Sequence, residues 1–181
     1  MTTALTLSGS VRKGSHNVKL QAHMGRKLEA AGVAVTAIDL GALDLPIFNE
    51  DLEPDNVPAG AVELAELWRS HDIIFIASPE YNGGVTPLLL NAVTWVSRQR
   101  PSPFRHAIFG IGGVSSGKYG TIWSLSHLRE SLTKVGALVV PTLLGIGPAE
   151  EAFDVNGDFR EPAIIRKVDQ MVHELTHFSR G

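Results

Sequence analysis

Short runs of β-branched and apolar residues alternate along the chain with longer stretches whose apolar positions recur at helical spacing. The first apolar run, ALTLS at 4–8, precedes an amphipathic stretch from about His16 to Ala31. Further strands are predicted at 33–39 (VAVTAID), 72–77 (DIIFIA), 106–112 (HAIFGIG) and 138–144 (LVVPTLL). Helices are predicted at 59–70, 87–99, 119–135 and 161–178. Alternation of this kind calls for a parallel sheet covered on both faces, because each right-handed crossover lays its helix against the sheet. For five strands the common solution is a flavodoxin-like α/β three-layer sandwich of order 2-1-3-4-5, with its switch point between strands one and three. A ligand should then meet the loops after strands one and three, with the loop after strand four beside them.

No internal repeat, low-complexity segment or linker interrupts the pattern, so a single domain over 1–181 is expected. Two longer connections, 41–58 and 145–160, are rich in Gly, Pro, Asn and acidic residues and are expected as loops at the rim.

Composition narrows the chemistry. Hydrophobic residues make up 44% and charged residues 19%, as in a globular protein with an ample core. A net charge of -3 and the lack of a basic block argue against nucleic acid as a partner. With no cysteine, the chain has no disulfide, thiolate metal site, iron–sulfur cluster or Cys nucleophile, so redox chemistry would need a bound cofactor. The N-terminus lacks the pattern of a signal peptide, and the longest apolar run, around 137–147, is broken by Pro141 and too short to span a bilayer. A cytoplasmic protein with no membrane partner is expected.

Three loops carry candidate chemistry. SGSVRKGSHN at 8–17 runs from a strand into a helix start and reads as an anion cradle. Ser10, Ser15 and Asn17 supply short hydrogen-bonding side chains, Arg12 a charged fork, and the helix N-terminus free N–H groups. Helix capping by Ser15 is the structural alternative. The loop has neither the Walker A pattern nor GxGxxG, so a monophosphate suits it better than a dinucleotide. SPEYNGGVTP at 78–87 is stiffened by Pro79 and Pro87 and given backbone freedom by Gly83 and Gly84. Tyr81 is placed to lie beside a ring, and the peptides around Glu80 and Asn82 to read a heterocycle's polar edge. GGVSSGKYG at 112–120 follows strand four and offers Gly113, Ser115, Ser116 and Gly117, which equally suit a tight turn before a helix.

The pair GSVRKGSHN and PEYNGGVTP, each after a strand, closely resembles the NADPH-dependent FMN reductase family of quinone, azo-dye and chromate reductases. LPIFNEDL at 45–52 resembles that family's segment after strand two, and the likeness covers nearly the whole chain. The resemblance implies FMN as cofactor and NADPH or NADH as electron donor. It also implies that Ser10, Arg12, Ser15 and Asn17 hold the phosphate, that Pro79, Glu80, Tyr81, Asn82 and Gly83 line the isoalloxazine, and that the third loop lies beside it. No catalytic side chain is implied, since the flavin carries the chemistry. A homodimer or homotetramer is implied too, and the three Trp residues and the apolar helix at 87–99 would suit its contact. The chain departs from the family's usual L-K-N-A-I-D-W by carrying Leu90 and Thr94 for the Lys and Asp.

Three other motifs compete. HELTH at 173–177 matches the zinc-binding H-E-x-x-H, with no room downstream for a third ligand before Gly181. GVSSG at 113–117 matches the G-x-S-x-G elbow of serine hydrolases, with Ser115 as nucleophile, Asp154 or Asp158 as acid and His173 or His177 as base. The hydrolase reading leaves the first two loops unexplained. Residues 112–118 nearly match Walker A, but Tyr119 stands where a metal-binding hydroxyl is required.

Overall fold

Thr3–Ser8 (β1) lies inside the sheet with its residues from Ala4 onward buried, because strands flank it on both edges and helices cover both faces. The computed structural model describes residues 1–53 and 56–178. After β1 come α1 (His16–Ala30), β2 (Ala34–Ile38), α2 (Ala59–Ser70) and β3 (Ile73–Ala77). A small hairpin follows, β4 (Glu80–Tyr81) and β5 (Gly84–Val85), then α3 (Pro87–Ser97), β6 (Ile108–Val114) and α4 (Ile122–Lys134). The chain continues through β7 (Leu138–Ile146), α5 (Ala149–Ala152) and α6 (Pro162–His177). The main sheet is parallel, in the order β2-β1-β3-β6-β7. With the hairpin set aside, this is the 2-1-3-4-5 order of a flavodoxin-like three-layer sandwich.

The inner strands β3 and β6 are buried residue after residue, as strands covered on both faces must be. Two apolar clusters form, one on each face. Leu5, Leu7, Trp68, Leu89, Phe109 and Leu125 lie on the side of α2, α3 and α4, while Leu20, Met24, Phe75, Val168 and Met171 lie on the side of α1 and α6. Trp68 meets Phe104 edge to face at 5.0 Å.

Several expected boundaries shift. The strand expected at 106–112 runs from Ile108 to Val114 and takes in Gly113, which reads as a loop residue in the sequence. A Cβ on Gly113 would stand 2.1 Å from the Ser78 carbonyl oxygen and 2.2 Å from Thr121 Oγ1, so the absent side chain is a packing requirement within the sheet. The helix expected from 119 begins at Ile122, because Gly120 turns the chain at φ +64°. The strand expected to end at 144 reaches Ile146. Pro141 fits within it because β7 is an edge strand and its pairing with β6 is irregular there.

Of the two connections expected as loops, 41–58 contains tight helical turns at Leu40–Leu43 and Glu50–Leu52, and 145–160 contains α5. Asn91 and Trp95 of α3 pin the first connection: Asn91 Oδ1 accepts from the Phe48 amide, and Trp95 Nε1 donates to the Pro46 carbonyl. Trp68 and Trp95 are fully buried, which corrects the expectation that all three Trp residues serve a subunit contact; Trp123, 65% exposed, remains open to one. No described helix is long and apolar enough to cross a membrane.

Candidate functional site

At the C-terminal ends of β1, β3 and β6 three loops meet around a cleft of about 300 Å³. It lies at the switch point, where the chain leaves β1 to one side and β3 to the other. Ser10, Arg12, Ser15 and Asn17 line it from the first loop; Pro79, Glu80 and Tyr81 from the second; Ser115 and Ser116 from the third. The first two loops are tied together at their bases, since Thr86 Oγ1 donates to the Gly9 carbonyl at 2.8 Å and the Gly9 amide donates to the Ala77 carbonyl. A Cβ on Gly9 would lie 3.0 Å from Thr86 Oγ1, so the close approach favours glycine.

The first loop presents donors. Ser15 caps α1, its Oγ accepting from the Asn17 amide at 3.2 Å. The neighbouring amides of His16 and Val18 find no acceptor among the described residues, which is the usual condition of a helix start and the basis of its attraction for anions. Ser10 is buried and its Oγ accepts from the Arg12 amide, shaping the turn. The exposed Arg12 guanidinium reaches only carbonyls of its own loop, Lys13 and Gly14, at 3.4 Å each, so its donors are free for a better partner.

Asn17 plays a different part from the one its position suggested. Its side-chain amide donates to the Val114 carbonyl at 3.0 Å and its oxygen accepts from the Val114 amide at 2.9 Å, joining α1 to β6. Both ends of the amide are thereby engaged within the protein, and the residue shapes the cleft wall rather than offering free donors.

The second loop closes through the β4–β5 hairpin. Asn82 (φ +54°) and Gly83 (φ +75°) form its tip, outside the lining of the cleft. The Glu80 carboxylate accepts from the Ser124 amide at 3.0 Å, supplying α4 with a cap that its own N-cap residue, Thr121, does not provide. Tyr81, 53% exposed, stands at the cleft mouth.

In the third loop, the Ser115 amide donates to Ile146 and its carbonyl accepts from Ala149, which brings the start of α5 to the cleft. Gly113 lies below, inside β6, and Gly117 lines an adjoining cavity bounded by Lys118, Tyr119 and Trp123.

Sequence reasoning did not single out His16, Ala149 or Glu150, all of which line the cleft. His16 was legible as the first residue of the helix behind the anion cradle. Glu150 was not, since only the Ser115–Ala149 contact delivers it. The buried Nδ1 of His16 has no partner among the described residues. Burial, then Lys19 and Arg12, holds its pKa below the ordinary value, with Glu150 opposing.

The rival motifs do not assemble. Glu174 of HELTH accepts from the Thr142 amide and hydroxyl instead of facing its two histidines, whose rings stack at 4.1 Å on an exposed helix face. No group of three or more potential metal ligands occurs among the described residues. Ser115 sits at the end of β6, whereas α6 carries His173 and His177 toward the opposite end of the sheet, where Thr176 and Phe178 adjoin Thr2 and Asp72. Asp158 pairs with His23 and Arg26. The hydrolase triad is therefore not formed.

The donor set fits FMN: one guanidinium, free amides at a helix start and an unpaired buried imidazole nitrogen at one end suit a phosphate monoester, while Pro79 and Tyr81 offer a flat wall at the other. Fold and site together define a flavodoxin-like flavoprotein. The chain belongs to the NADPH-dependent FMN reductase family, whose profile matches residues 2–151. Membership makes it an oxidoreductase of FMN with NAD(P)H as electron donor.

An NAD(P)H-dependent FMN reductase of Pseudomonas aeruginosa is 32% identical over 174 residues, covering 94% of this chain and 91% of its own. A quinone reductase of Escherichia coli strain K12 is 35% identical over 144 residues, covering 78% and 76%. Among solved structures, the flavoenzyme NAD(P)H:(acceptor) oxidoreductase FerB of Paracoccus denitrificans superposes with a TM-score of 0.83 at 24% identity, covering 97% of this chain and 95% of that one. A flavodoxin variant from Pseudomonas aeruginosa superposes at 0.60 with 18% identity over 97% and 99%. These two structural likenesses bear on the fold.

Proposed function

We propose that residues 1–181 form one FMN-binding domain that holds the FMN phosphate on the loop after β1 and the ring along the loops after β3 and β6. FMN held there would supply a hydride-accepting N5 and so the chemistry for reducing a quinone, flavin, azo compound or metal ion. Everything else falls to this chain's own residues. Arg12 and the first amides of α1 hold the phosphate; Ser10 and Ser15 keep that loop in its donor-presenting shape. Pro79 and the turn at Asn82 and Gly83 fix the plane on which the ring rests, and Tyr81 borders its open face. Ser115, Ser116 and Gly117 offer hydroxyls and backbone to the ring's polar edge, with Gly113 keeping the sheet close beneath them.

One observation carries this reading: unengaged donors of the first loop converge on the same cleft as the stiff, aromatic second loop. No side chain in the cleft is required as a catalytic acid, which suits a reaction whose bond changes lie on the cofactor.

Family resemblance also supports a homodimer or homotetramer in the cytoplasm, with Trp123 and Leu90 available to a subunit contact. Light scattering of the flavin-loaded protein tests the assembly; a fully active monomer would exclude it.

The function is tested by the absorbance spectrum of the purified protein before and after anaerobic addition of NADPH or NADH. Flavin bands that bleach on addition support it. A colourless protein that cannot be reconstituted with FMN refutes it.

A further inference from the structure

A second cleft, of about 370 Å³, lies on the other side of the first loop, between α1 and the end of β2. It shares Ser10 and Arg12 with the FMN cleft, and the proposed function leaves it without a task. Its volume falls near the lower end of the range of about 300–1,000 Å³ typical of small-molecule sites, enough for a nucleoside.

The walls are apolar and low. Val18 and Ala22 of α1, Ala37 and Ile38 of β2 and Val11 of the first loop line the slot, so a flat base would lie against aliphatic side chains. Ser8, Ser10, Arg12, Gln21 and Asp39 break this surface, and the Gln21 amide is already engaged with the Thr6 and Ile38 carbonyls. Ser8 Oγ, beneath the slot, is buried with no hydrogen-bond partner among the described residues. The Asp39 carboxylate stands exposed at the rim, accepting one hydrogen bond, at Oδ1 from the Gly41 amide, so that its other oxygen is free. Arg12 lines both this slot and the FMN cleft, with Lys13 next in sequence.

We infer that this second cleft takes the adenosine end of the reduced nicotinamide dinucleotide, with Asp39 accepting hydrogen bonds from the ribose hydroxyls and Arg12 lying beside the pyrophosphate. The inference rests on the function proposed above and extends it from the flavin to the electron donor. In this assignment the base lies against Val18, Ala22 and Ala37, the sugar at Asp39, and the phosphates toward Arg12, which lines both clefts. From there the nicotinamide end is directed past the first loop toward the FMN cleft. A carboxylate at the sugar repels a 2′-phosphate, so this chain favours NADH over NADPH.

Two substitutions test the assignment in the flavin-loaded enzyme, with initial rates measured for NADH, NADPH and reduced nicotinamide mononucleotide, which lacks adenosine. Ala22→Phe fills the slot and lowers the ratio of kcat/KM for NADH to that for the mononucleotide about tenfold. Asp39→Asn keeps the turn at Gly41 capped and raises the ratio of kcat/KM for NADPH to that for NADH about tenfold. An unchanged first ratio in a folded, flavin-loaded Ala22→Phe enzyme overturns the adenosine site, and an unchanged second ratio overturns the role of Asp39. If Ala22→Phe does not fold, the Asp39→Asn ratio decides the proposal. A wild-type protein that oxidises neither nucleotide refutes the proposed function itself and this inference with it.

Discussion

The Glu80 carboxylate accepts the Ser124 amide at 3.0 Å, so the hairpin after β3 caps the helix that follows β6. Two walls of one cleft are thereby held at a fixed spacing by a single side chain. Glu80→Ala removes a helix cap and costs about 1 kcal/mol in chemical denaturation. Glu80→Gln retains an acceptor oxygen and loses less. Equal losses in the two variants would show that the cap is not what Glu80 contributes.

Asn17 joins α1 to β6 through both the amide and the carbonyl of Val114. Truncation to alanine leaves both of these backbone groups unpaired in a buried setting and costs about 2–4 kcal/mol. Asn17→Asp fares little better, since a carboxylate has no donor for the Val114 carbonyl. Urea denaturation of the apoprotein measures both. A stable Asn17→Ala protein with weakened FMN binding would instead restore the residue to phosphate ligation.

Arg12 rests on long contacts to its own loop and is expected to turn to the FMN phosphate. Arg12→Ala raises the Kd for FMN by about tenfold to a hundredfold, the range of a lost charge-assisted hydrogen-bond pair. Fluorescence titration of the apoprotein with riboflavin provides the control, because riboflavin lacks the phosphate. An equal loss for both ligands would place Arg12 at the ring or in the fold.

Gly113 has no room for a side chain, its hypothetical Cβ lying 2.1 Å from the Ser78 carbonyl oxygen. Gly113→Ala forces β6 away from the second loop and destabilises the protein by about 3 kcal/mol. A thermal melt that matches wild type would show that the two segments separate freely.

His23 is buried against Phe159, with Nδ1 3.2 Å from Asp158 Oδ1. Burial first, then Arg26, lowers its pKa, while Asp158 opposes. A lowered folded-state pKa means that the unfolded chain binds more protons as pH falls through about 6.5, the ordinary histidine value. The stability His23 contributes is therefore complete above that value and is lost toward pH 5. His16 acts in the same direction. The urea midpoint should fall between about pH 7 and 5, and His23→Leu should flatten part of that fall. An equally steep fall in the variant would assign the slope to other groups.

The order of elements and the three loops were legible because they rest on local signals: apolar runs for the strands, helical spacing for the crossovers, and Gly, Pro and Ser where strands give way to helices. Parallel crossovers have a fixed hand, so this local record was enough to order the sheet and locate its switch point. Long-range contacts decided which side chains are free within the loops. Asn17 and Glu80 have the chemistry of ligands, but partners 97 and 44 residues away engage them. Gly113 looked like a loop glycine, and only the crowding of neighbouring segments explains it as part of a strand. Glu150 entered the cleft through a backbone hydrogen bond that leaves no mark on composition. The sequence by itself determined the five strands of the main sheet, the long helices between them and the loops at the switch point, because turn chemistry and hydrophobic period act over a few residues. Only the tertiary structure decided which polar groups remain unspent and that a second cleft opens beside Asp39, because hydrogen-bond partners and cavities are made by segments distant in the chain.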